Sequence, residues 1–213
     1  MIEATQPPSH AEVIARYGIE ILQLNHLASY AMHRLIDGWC YDAPALRYHF
    51  DRAFEVRHRH DELAAVMDAI EAHTGVNVYA GAVVLLLDEH FKAFREDIFK
   101  RDLEASDWNE WDSSEPLIHG YSIGAILRHS AANFRHNGEW EKDRGHLDRD
   151  QLRSIGVLAA ALGEPDGANH KLGRDVCREV LQLLSDGSFD TLSEKLFAFA
   201  NNMVKHQQRT SRA

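Results

Sequence analysis

The sequence predicts an all-α fold, a helical bundle of about seven helices with long antiparallel helices in the N-terminal half. Apolar residues recur at helical spacing through most of the 213 residues. Turn-forming residues are gathered at a few places, and no run alternates as a half-buried strand would.

The first helix is expected to open near Ser9. Ser9 and Glu12 have capping-box spacing, and Pro7 and Pro8 lie just outside. Val13, Tyr17, Ile21, Leu24, Ala28 and Leu35 form its stripe, and Gly38 is the expected stop. His26, Tyr30 and His33 fall on one side, as core or interface polar groups. A second helix should open after Asp42, with Pro44 in its first turn. Leu46, Phe50, Phe54, Leu63, Val66, Met67 and Ile70 carry it, and it fades before Gly75. A third, over 77–104, rests on Ala82, Val83, Leu86, His90, Phe94 and Ile98. Helices of this length suit a bundle.

Residues 105–116 (ASDWNEWDSSEP) are acidic and polar and read as a loop ending at Pro116. Trp108 and Trp111 within it are either an exposed contact surface or a lid packed on the bundle. A fourth helix follows over 117–137 and stops at Gly138. After a charged connector come a fifth over 150–162, a sixth over 169–185 and a seventh over 190–206. The chain reads as a single all-α domain over 1–213, divisible into long helices (1–104) and shorter ones (117–206).

The 23 basic and 33 acidic residues give a formal charge of −10, which favours solubility. It disfavours a general nucleic-acid coat, which needs a basic surface, but leaves room for a local basic pocket. Cys40 and Cys177 have no metal or redox spacing and read as reduced thiols. The first residues, MIEATQPPSH, lack the pattern of a signal peptide. The longest apolar runs, Val83–Leu87 and Ile155–Leu162, are too short to span a bilayer. No membrane association and a cytoplasmic location are the expectations.

The stretch Arg128 to Trp140, RHSAANFRHNGEW, carries the richest chemistry. Helical spacing places Ser122, His129 and His136 on one face, with Asn133 beside them and Arg128 and Arg135 in an adjacent row. Such a set could supply an acid, a base and a cation for a phosphate, and so cleave RNA without metal. The alternative is a helix end whose polar groups bond to neighbouring segments.

An α-helical bundle with Arg, a polar residue after it and a His further along one helix resembles the HEPN family. The resemblance covers roughly residues 77–163. His129 fills the polar position after Arg128, and seven residues separate Arg128 from His136, a longer spacer than the family motif has. The resemblance implies a metal-independent ribonuclease of toxin–antitoxin or phage-defence type, acting as a homodimer with the motif meeting across the interface. In it Arg128 would stabilise the scissile phosphate and His136 would act as acid or base, with His129 and Asn133 orienting. Many HEPN relatives are inactive binding modules, which implies the alternative of a helical partner subunit.

A second basic stretch, RYHFDRAFEVRHRHDE, contains Arg47, His49, Arg52, Arg57, His58, Arg59 and His60. Arg52, Arg57 and His58, with Arg135, are candidate phosphate-binding residues, set against a solvated face paired with acidic neighbours. Arg52 and His58 are separated by five residues. Glu55 and His58 have the Glu-x-x-His spacing of di-iron bundles, but no second such pair exists. His60–Asp61 matches the dipeptide of metal phosphohydrolases. A His-liganded metalloprotein is therefore a third reading; no metal ligand and no cofactor is assigned. RNA, a partner protein and a second copy of the chain are the expected partners.

Overall fold

A computed structural model describes residues 6–54, 62–99, 105–140, 146–164 and 172–210, without the side chains of 62–74, 105–107 and 209–210. The described residues form eight α-helices and one two-residue ladder. The helices are α1 (His10–Tyr17), α2 (His26–Phe54), α3 (Glu62–Phe99), α4 (Ala105–Ser113), α5 (Ile123–Trp140), α6 (Arg149–Ala161), α7 (Cys177–Ser185) and α8 (Phe189–Thr210). None is long and apolar enough to cross a membrane. The expected all-α bundle is the observed fold.

The capping box forms at α1: the Glu12 N–H donates to Ser9 Oγ, and the Ser9 N–H donates to Glu12 Oε2 at 2.7 Å. The first helix then stops at Gly18, not Gly38. Gly18 adopts the left-handed conformation (φ 59°), and its N–H caps the Ile14 carbonyl. A 3-10 turn, Ile21–Gln23, leads into α2.

The second helix does not open after Asp42, because α2 runs through both Gly38 and Pro44. Pro44 has no N–H for the preceding turn, but Ala43, Leu46 and Phe50 bury the helix on either side. Gly38 serves packing: a Cβ there would meet His90 Nδ1 at 2.7 Å. The third helix begins at Glu62 rather than near Asn77, so Gly75 interrupts nothing. α2 and α3 pair antiparallel, since Arg34 reaches Asp97, Asp42 reaches His90 and His49 stacks on Tyr79. Of the expected core or interface polar groups, His33 is exposed, and it stacks on His10.

The expected loop at 105–116 is in part α4, whose Trp111 is fully buried against Phe91, Phe94 and Phe199. The fourth helix does not begin at Leu117. A short antiparallel ladder, β1 (Leu117–Ile118) with β2 (Tyr121–Ser122), turns the chain into α5 instead. Ser122 Oγ accepts the Ala125 N–H at that start, and α5 continues past Gly138 to Trp140. The sixth helix is shorter than expected: α7 begins at Cys177, and 165–171 lie outside the described residues.

α5 passes through the middle of the bundle. It touches α3 so closely at Gly81 that a Cβ would meet the Phe134 ring at 2.0 Å. Gly124 does the same for Trp111, at 2.5 Å. α8 covers the aromatic core: Phe189 against Trp39 and Phe50, Phe197 against Tyr17 and Trp39.

Candidate functional site

The α5 residues singled out by spacing part company in three dimensions. Asn133 is fully buried. Its Nδ2 donates to the Leu172 and Arg174 carbonyls at 3.0 and 3.1 Å, and its Oδ1 accepts the Val176 N–H at 3.1 Å. Both donors and one acceptor site of the amide are used in tying 172–176 to α5, rather than in orienting a histidine.

His129 is 2% exposed and faces α6. The Ser154 hydroxyl donates to the Asp150 carbonyl, so its oxygen accepts from His129 Nδ1–H at 2.8 Å. Burial, then the charges of Arg128 and Arg153, push the His129 imidazole down to about 3. It is neutral through the physiological range, with the Nε2 lone pair buried and unpartnered among the described residues.

His136 is exposed and lies 3.6 Å from Glu139. Eight residues of helix put it about 12 Å along the axis from Arg128. Arg128 lies over Trp108 while His136 lies beside Glu139, so different neighbours hold the two side chains. Arg135 lies between them and reaches back to α3, where it donates to Asp88 Oδ2 at 3.3 and 3.4 Å and to Glu89 at 3.3 Å.

The second basic stretch divides likewise. Arg47 pairs with Asp190 at 2.7 Å and lies over the Phe189 ring. The Arg52 guanidinium lies over Tyr48 at 5.4 Å. Arg57 and His58, like Glu55, His60 and Asp61, lie outside the described residues. Among the described residues no group of three His, Cys, Asp or Glu side chains is placed to hold a metal ion.

Arg128 belongs to a different constellation, built from α3, α4, α5 and α6. Its guanidinium carbon sits 4.1 Å from the centroid of Trp108, on α4. Arg95 of α3 lies against the same ring at 4.4 Å and against Trp111 at 5.2 Å. Arg153 of α6 pairs with Asp112 Oδ2, one residue beyond Trp111. The cluster thus holds three guanidiniums about one carboxylate and two indoles.

Its electrostatics are unusual. Arg95 is only 7% exposed, yet neither it nor Arg128 makes a hydrogen bond or ion pair among the described residues. Arg95 Nε and Arg128 Nη1 are buried without an acceptor. Asp112 Oδ1 is buried without a donor, although Oδ2 is taken by Arg153. Burial lowers both arginines, with Arg128 adding to the effect on Arg95. Burial also raises Asp112, against the pull of Arg128 and Arg153. A buried guanidinium without a carboxylate is costly, and cation–π contact with Trp108 offsets only part of that cost.

Of this cluster, sequence reasoning named Arg128 and the two tryptophans, and missed Arg95, Asp112 and Arg153. Arg95 sits on a helix read through its apolar stripe, and Asp112 looked like one acid among many in a polar loop. Comparison with known proteins adds no relative: no family model, no curated protein and no solved structure matches this chain.

Proposed function

We propose that this chain is a non-catalytic interaction module that recognises an anionic group through the arginine–tryptophan cluster. One observation carries the reading: Arg95 and Arg128 lie against Trp108 with buried N–H groups that no acceptor meets among the described residues. Guanidinium held against an indole is pre-organised for an oxyanion, because its rotamer is fixed before the ligand arrives. Arg153 and Asp112 neutralise each other, so among the described residues of the cluster the surplus charge belongs to the other two arginines. The module reading also fits α5, where Asn133 and His129 brace neighbouring segments.

A metal-independent ribonuclease is the second reading, favoured by the exposure of His136. It requires a second copy of the chain to bring its His136 to Arg128. The two readings separate when purified protein is incubated with RNA in excess chelator. The module reading expects intact RNA, and anion-dependent protection against thermal unfolding that Arg128→Ala removes. RNA cleavage lost in both Arg128→Ala and His136→Ala would instead establish the ribonuclease.

A further inference from the structure

The cluster has a feature that narrows the anion. Its unpartnered donors, Arg95 Nε and Arg128 Nη1, stand in the same cluster as an unpartnered acceptor, Asp112 Oδ1. A carboxylate or a sulfate satisfies only the donors, since neither carries a hydrogen to give. Either would bring a further negative oxygen toward Asp112, whose only ion pair among the described residues is with Arg153. A ligand that completes the set must accept from the two arginines and donate one hydrogen bond to the aspartate.

Resting on the anion-recognition reading, we propose that the cluster binds hydrogen phosphate: Arg95 and Arg128 hold its oxygens, and Asp112 Oδ1 accepts its P–OH. Inorganic phosphate keeps one proton throughout the neutral range, whereas sulfate has none. A phosphomonoester is mostly dianionic at pH 7 and regains its proton near pH 6. Asp112 therefore selects by protonation state, between ions of similar size and charge. An unpaired acceptor facing a ligand without a hydrogen costs far more than a matched one contributes, and such a mismatch gives the sharpest discrimination available to a binding site.

The surroundings support this assignment. Asp88 is already engaged by Arg135, so it is not the missing counter-ion of Arg95. Among the described residues, Glu96 and Asp150, the other acids that influence the two arginines, are exposed and form no ion pair with them. His129 is neutral beside the cluster and brings no competing charge. Trp108 is half-buried at the cluster, which gives binding an optical signal.

The test is titration of the full chain at pH 7.5 with sodium phosphate, sodium sulfate, sodium acetate and phosphoserine at matched ionic strength. Tryptophan fluorescence and phosphorus NMR line-broadening would be recorded. Phosphate is expected to bind at least about tenfold more tightly than the other three, as one charge-assisted hydrogen bond allows. Phosphoserine should approach phosphate when the pH is lowered to 5.5. Asp112→Asn should erase the preference, because its amide can donate to sulfate. Arg128→Lys, which keeps the charge, should weaken phosphate binding while circular dichroism confirms the fold. Equal binding of phosphate and sulfate would overturn the role of Asp112 and leave the anion module standing. Tighter binding of phosphoserine at pH 7.5 would likewise overturn it, pointing to a dianionic group on a partner. Absence of any anion binding would overturn both.

Discussion

Ser154 Oγ accepts the Nδ1 proton of His129 across the α5–α6 interface, and that bond fixes a neutral imidazole inside the bundle. With a folded value of about 3 against 6.5 for the unfolded ring, the unfolded chain binds one more proton between those values. The contribution of His129 is therefore complete above pH 6.5 and is lost as the pH falls toward 3, by about 1.4 kcal/mol per pH unit at most. His129→Gln should flatten this slope. The comparison needs wild type and variant side by side, because burial raises Asp88, Asp112 and Asp175 and gives them the opposite slope just above their ordinary range. Urea unfolding at pH 7 and pH 5 would show it; identical slopes would rule the account out.

Asn133 predicts a second outcome. Asn133→Ala leaves the Val176 N–H and two carbonyls at 172 and 174 without partners, a loss of about 2–4 kcal/mol. Hydrogen exchange at Val176 should accelerate. His136→Ala, at an exposed site, should change stability by less than about 0.5 kcal/mol.

Gly81→Ala tests the α3–α5 approach. Alanine favours a helix over glycine by about 1 kcal/mol, so an open site would gain stability. Here the new methyl would strike Phe134, and a net loss of about 1–3 kcal/mol is expected on thermal unfolding. A stabilised variant would mean that the two helices do not meet at that point.

Arg95→Met should raise the melting temperature in phosphate-free buffer. It replaces a buried charge that lacks an ion pair among the described residues with an apolar side chain of similar length, a change worth about 1 kcal/mol or more. The same variant should lose the stabilisation that phosphate gives the wild type. A variant less stable than wild type would mean that the two tryptophans alone make the charge favourable.

The helical character of the chain was legible because apolar spacing survives any arrangement of the helices. Boundaries were less so, for reasons visible at particular residues. Gly38, Gly75 and Gly138 look like stops, yet all three lie within helices, and at Gly38 the small residue admits His90. Gly18 is the true terminator and sat inside an apparently continuous stripe. Site residues were legible only as types. Helical spacing gathered Ser122, His129, Asn133 and His136 on one face but could not show which neighbours would cover it. α6 and residues 172–176 bury its middle, and solvent bathes its end. Arg95, Asp112 and Arg153 join Arg128 only through tertiary packing, across elements that share no local pattern.

The seating of α1 against α8 carries a consequence for how the molecule is made. Tyr17 stacks on Phe197, Asn201 donates to the Tyr17 carbonyl, and Gln208 donates to the Gln23 carbonyl. α1, made before α8, thus rests on it. Until Phe189–Thr210 emerges, α1 has only part of its docking surface, and Trp39 lacks its cover of Phe189 and Phe197. A nascent chain stalled before residue 189 should therefore expose an aromatic seam to chaperones, and emergence of Phe189–Thr210 would close it.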